Sequence, residues 1–106
     1  MKKPRQQEVE TVVGVAWYDQ QRWTRMRLIC FDPDTMDDSY DEWRAAAENS
    51  MAHLAKAGIR AQRVEIDVDA FLRWCRLHGR KTDKASRAEF TATCLRARSG
   101  NSQSNE

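Results

Sequence analysis

The sequence predicts a small α+β domain: a two-stranded antiparallel sheet and four helices in the order β-α-α-β-α-α. Three observations carry that expectation. Two short stretches alternate side-chain character with a period of two, as strands with unlike faces do. Four further segments repeat apolar residues at helical spacing, each behind an Asp or Ser that can cap it. Pro33, Gly58 and Gly79 stand where three of those helices must stop. The antiparallel pairing rests on counting reversals, because a strand, two antiparallel helices and a returning strand turn the chain three times.

The chain of 106 residues is long enough for one domain. Residues 1–8 (MKKPRQQE) and 99–106 (SGNSQSNE) lack apolar pattern and are expected to be disordered tails, with residues 9–98 forming the fold. The first strand is expected where Thr11, Val13, Val15 and Trp17 alternate with Val12, Gly14 and Ala16. Large residues take one face and small ones the other, so a helix can approach the small face closely. Asp19 caps a helix bearing Trp23, Met26, Ile29 and Cys30 at helical spacing. After the loop DPDTMDD, the run SYDE (Ser39–Glu42) is a capping box, and the helix it opens packs through Trp43, Ala47, Ser50, Met51 and Leu54.

The second strand is expected around Arg63–Val68, with Val64, Ile66 and Val68 facing one way. Asp67 or Asp69 then caps a third helix carrying Phe71, Leu72, Trp74 and Cys75, and Asp83 caps a fourth carrying Ala88, Phe90, Cys94 and Leu95. The halves are faintly alike. Asp19, Trp23 and Arg25 match Asp67, Phe71 and Arg73 at an offset of 48 (67 − 19), and Trp43 matches Phe90 at 47 (90 − 43). Duplication and the shared punctuation of any two βαα units both account for this.

Four tryptophans and three phenylalanines supply the core, since each such ring buries roughly 150–250 Å². Trp17, Trp23, Trp43 and Trp74 are expected mainly inside, with Tyr18 left partly exposed. No apolar run is long enough to cross a membrane. Cys30, Cys75 and Cys94 are odd in number and form no CxxC pair, which argues against a disulfide framework or a thiolate zinc site and points to the cytosol. The net charge is only +2, but it is unevenly spread. Residues 32–50 hold seven acids and one arginine (net −6), while residues 70–106 hold eight bases and three acids (net +5). These blocks can meet within one chain or between two.

GVAWY (Gly14–Tyr18), YDEW (Tyr40–Trp43), DVDAFLRWCRLHG (Asp67–Gly79) and SRAEF (Ser86–Phe90) together form a recognisable pattern. It resembles a family of small bacterial proteins of unknown function that run G-I-A-W-Y, an E-W pair, I-D-P-D-x-F-x-x-W-C-x-x-x-G and A-R-x-x-F. Val68 stands where that family tends to have proline, an exchange suited to the first position of a helix, and Ser86 stands where it has alanine. The resemblance covers Val12 to Leu95. It implies the architecture and carries no activity, cofactor or catalytic residue.

Read for chemistry, the residues offer several sites. Counting a calcium loop from Asp32 puts Asp34 third, but Met36 fifth, Asp37 at the glycine position and Trp43 last, so the pattern fails. Acids gathered at a helix N-terminus account for it. Cys75 and His78 lie three apart on one helix, the spacing of a minimal nucleophile and base, yet no oxyanion loop accompanies them. No catalytic residue, metal or cofactor is expected. Arg73, Arg76, Arg80, Lys81, Lys84 and Arg87 span a helix, a glycine turn and a helix, the outline of a nucleic-acid-binding helix-turn-helix. Against that outline, Arg80 stands where an apolar residue is needed and Ala85 and Ala88 where bulk is needed, and Arg87 is free to pair with an acid in the 37–42 loop. Two strands alone are marginal in water and leave edges open to a partner. Trp17 and Tyr18 are therefore the candidate protein-interaction residues. The expected function is a non-enzymatic protein-interaction module, homodimeric or bound to another protein. Nucleic-acid binding is the alternative, and a cysteine-dependent enzyme is the third reading.

Overall fold

The computed structural model describes residues 12–104. Strand β1 (Val12–Trp17) leads into helix α1 (Gln20–Ile29), a 3-10 turn (Pro33–Thr35) and helix α2 (Tyr40–Lys56). Strand β2 (Arg60–Glu65), helix α3 (Val68–Leu77) and helix α4 (Lys84–Ser104) follow. The α+β class holds, with two strands and four α-helices among the described residues. The 3-10 turn adds a step to the order read from the sequence, and it falls within the acidic loop. Residues 1–8 and Thr11 lie outside the described residues. The backbone of residues 99–104 continues α4 where a polar tail was expected.

The two strands run parallel, in a register that sets Val12 beside Arg60 and Trp17 beside Glu65. The antiparallel expectation is thus overturned, and the reason lies in α1. Both α1 and α2 begin beside Tyr18: the rings of Trp23 and Tyr40 are 6.2 Å apart, and the Tyr40 hydroxyl donates to the Tyr18 carbonyl at 3.3 Å. The ten-residue helix α1 rises about 15 Å, and residues 30–39 can span about 33 Å, enough to bring the chain back. Helix α1 with its connector is therefore a closed excursion. Only α2 crosses from the end of β1 to the start of β2, which makes the pair an ordinary parallel crossover.

The connector is fixed by side chains from the second half. Phe31 N–H donates to the Thr82 carbonyl at 2.9 Å. The Asp32 carboxylate accepts from the Lys84 amide and from the Arg87 guanidinium, both at 2.9 Å. Arg87 also donates to the Thr35 hydroxyl at 3.0 Å. The opposed charge blocks thus meet within one chain at Asp32 and Arg87, ahead of the 37–42 loop in which Arg87 was expected to find its acid.

Helix ends follow the sequence closely. Asp19, Ser39, Asp67 and Asp83 each accept from the amide three residues on, at 2.8–3.1 Å. Gly58 and Gly79 have φ of +78° and +62°. In each case the residue after the glycine donates to the carbonyl five residues back, Ile59 to Leu54 and Arg80 to Cys75, which closes a Schellman motif. Strand β2 begins earlier than expected and ends at Glu65. The Asp67 cap recruits Val68 into α3, so the Val64, Ile66, Val68 alternation outlasts the ladder.

Helices cover both faces of the sheet, as a parallel pair requires. Helix α4 lies on the small face: a Cβ on Gly14 would stand 3.3 Å from Leu95 Cδ2 and 3.4 Å from Thr91 Cγ2. On the opposite face, Trp43 of α2 meets Trp17 edge-on with ring centroids 5.3 Å apart. The core gathers Met26, Val64, Ile66, Val68, Phe71 and Phe90 around Tyr18 and Trp23. Trp17 and Trp23 are buried as expected, whereas Trp43 and Trp74 are half-buried. Tyr18, expected to be partly exposed, is only 5% exposed.

Candidate functional site

In a parallel ladder, successive residues of a strand turn their backbone groups alternately toward and away from the neighbour. Ile66 N–H donates to the Trp17 carbonyl at 3.1 Å, which sets the parity of β1. Val13, Val15 and Trp17 pair with β2; Val12, Gly14 and Ala16 direct their N–H and C=O groups to the outer edge. No third strand covers that edge among the described residues.

An open groove of about 370 Å³ runs along this edge. Gly14, Val15 and Ala16 of β1 form its floor. Trp43 of α2 forms one wall, held by ring contacts to Trp17, Tyr18 and Tyr40. Ala88 and Thr91 of α4 form the other. Since Leu95 and Thr91 lie over Gly14, α4 runs against β1 and its first turn reaches the Tyr18 end. Lys84 and Arg87 line that end with the loop residues Thr35, Met36 and Asp37.

Electrostatics at the closed end are largely internal. The Arg87–Asp32 pair is well covered, with side chains 10% and 22% exposed. Burial alone would raise the Asp32 carboxyl, but the bonds from Arg87 and the Lys84 amide outweigh it and hold the group below the usual carboxylate range. The Tyr18 phenol is pushed up to about 12 by burial, against the pull of nearby Arg87. Lys84 keeps an exposed side chain with no ion-pair partner among the described residues.

The residues singled out from the sequence fare unevenly. Trp17 and Tyr18 are 8% and 5% exposed, so neither presents a surface to a partner. The Arg63 guanidinium lies 4.0 Å over the Trp17 ring, and Trp43 packs on both residues. The basic series is divided. Arg87 is committed to Asp32, Arg80 pairs with Glu89 and stacks on Trp74, and Lys81 sits over Phe31. Arg73, Arg76 and Lys84 stay on the surface. Cys75 and His78 are not brought together. The Cys75 thiol is buried, its pKa raised by burial and by Asp83, and it faces the Lys81 carbonyl; His78 contacts the Trp74 carbonyl and ring. No group of three His, Cys, Asp or Glu side chains among the described residues is placed to hold a metal ion.

Gly14, Ala16 and Trp43 were missed as site residues. The available signal was the strand VVGVAW itself, which carries no charge. No family model, curated protein or solved structure matches the chain, so the family pattern rests on the quoted residues alone. No helix among the described residues is long and apolar enough to cross a membrane.

Proposed function

We propose that this chain is a non-enzymatic protein-interaction module working in a reducing compartment such as the cytosol. One observation carries the reading: among the described residues, an uncharged strand edge is left unpaired at the floor of a groove with an aromatic wall. Unpaired N–H and C=O groups on a sheet edge are a template for another polypeptide. Three free thiols, two of them buried, fit a compartment that keeps cysteines reduced.

The deciding experiment uses the purified chain as bait in lysate, with and without nuclease. Retention of the same protein partner under both conditions supports the reading. Capture that vanishes with nuclease, together with low-salt binding to nucleic acid that falls steeply as salt rises, would transfer the function to Arg73, Arg76 and Lys84.

A further inference from the structure

We propose that the free edge of β1 is a strand-addition site for an extended, flexible peptide segment of a partner protein. That segment is apolar at alternate positions and carries one acidic residue that pairs with Lys84. The inference rests on the interaction-module reading and specifies its site and ligand.

The backbone dictates the ligand's form. Gly14 and Ala16 offer outward N–H and C=O groups, and only another backbone in extended form satisfies both kinds at strand spacing. The walls dictate how much can enter. Trp43 on one side and Ala88 and Thr91 on the other line the groove beyond the strand. A second copy would bring its own β1 between the same two walls, and the helices would collide before the edges met. A segment without flanking layers enters freely.

Side-chain preferences follow from the same geometry. A strand laid beside β1 sends successive side chains to opposite faces. One set meets Trp43, a flat apolar surface already fixed by three ring contacts. The other set meets Ala88 and Thr91, where small wall residues leave room. Three charged residues line the groove: Lys84, Arg87 and Asp37. Arg87 is neutralised by Asp32, so Lys84 is the cation left to pair with a ligand. Asp37, in the loop, repels a second acid, which limits the segment to one.

The opposite edge of the sheet is closed to the same use. Parity turns the Arg63 carbonyl outward on β2, and Arg98 of α4 donates to it at 3.4 Å. Strand addition is therefore confined to β1.

The test is selection of a displayed random dodecapeptide library on the full chain, followed by binding of the winning peptide with a fluorescent label. The expected winners show apolar residues at a period of two and a single acid. Ala88→Trp, at an exposed position, fills the groove and weakens binding at least about tenfold. Lys84→Glu weakens it too, and replacing the peptide's acid by lysine restores it. A ligand-side control is independent of folding: N-methylating the peptide amides that face β1 abolishes binding, while methylating the alternate set leaves it intact.

Winners indifferent to both N-methylation sets, or to Ala88→Trp, would overturn the groove as the site. If a lysate partner is nevertheless retained, the module reading stands without it. No enrichment would end the proposal, and Gly14 and Ala16 amides already protected from exchange in a self-associated chain would overturn it by giving the edge to a second copy.

Discussion

The two strands lie side by side in register yet are built from opposite materials. β1 reads VVGVAW and has no charge; β2 reads RAQRVE and has three. Each has one inner edge, paired with the other, and one outer edge. On β2, Arg60, Arg63 and Glu65 are exposed, and Arg98 covers the outward Arg63 carbonyl. Charged residues on an edge strand discourage further pairing. On β1 the outward groups belong to Val12, Gly14 and Ala16, and the strand itself carries no charge to guard them. Among the described residues, a sheet that places arginines on one edge strand and none on the other distinguishes a guarded side from an unguarded one.

Gly14 gives the sharpest way to break that contrast. Its absent side chain lets α4 approach β1, with Leu95 and Thr91 already at the contact limit for a single added carbon. Gly14→Val forces two further carbons into the same gap. Overpacking of this kind costs about 1–3 kcal/mol, and the upper end is expected because Val64 also closes on the site from β2. Urea unfolding measures it. A variant as stable as the parent would mean that α4 does not sit on the small face.

Next in size is the link between the acidic connector and α4. Arg87→Ala leaves Asp32 partly covered and without its cation, and removes one of the bonds at the Thr35 hydroxyl and at the Thr82 carbonyl. A buried pair costs about 3–5 kcal/mol to break and an exposed one under about 1; this intermediate pair should cost about 1–2 kcal/mol. The pH dependence carries its own sign. Asp32 is held below its ordinary value in the folded chain, so its contribution is present above about pH 4 and lost as pH falls through the lowered value. Thermal unfolding of Arg87→Ala should therefore show a shallower acid-side loss than the parent.

Much of this fold was legible locally. Four cap residues and two C-terminal glycines, read from residue type and spacing alone, sit where the structure uses them. A cap is satisfied within one helical turn, so the sequence holds the whole interaction. Strand direction is different in kind. It depends on α1 being an excursion, which depends on Asp32 and Phe31 finding Lys84, Arg87 and Thr82 some fifty residues away. No local pattern encodes that meeting, although the opposed charge blocks hinted at it. The burial of Trp17 and Tyr18 is non-local for a related reason. Their bulk suits an interface and a core alike, and Trp43 of α2 packs on both. The edge of β1 that no described strand pairs is set by which of its residues face β2.

Tyr18 tests the closed end of the groove with a smaller effect. Its phenol is pushed up to about 12 by burial, against about 10 in an unfolded chain. The stability tied to this protonated phenol is complete below about pH 10 and is lost as pH rises toward the folded value. Tyr18→Phe keeps the ring and removes the titration, so it should change stability at neutral pH by less than about 1 kcal/mol. It should also flatten the loss of stability on the alkaline side. Absorbance of the ionised phenol, followed against pH in both proteins, assigns the step.

Arg98 carries the smallest energy and bears most directly on the difference between the edges. Its bond to the Arg63 carbonyl is exposed and 3.4 Å long, so Arg98→Ala should cost only a few tenths of a kcal/mol. Its consequence lies in pairing rather than in stability, because the substitution uncovers the outward Arg63 carbonyl of β2. If that contact closes the edge, the variant self-associates at concentrations where the parent stays monomeric by light scattering. If Arg60, Arg63 and Glu65 suffice by charge alone, the variant scatters like the parent at low salt and associates only when salt screens them. Either result separates closure by a bond from closure by charge. Arg98→Ala combined with Arg63→Val removes the bond and the central charge of the edge, and should associate more readily than either single variant.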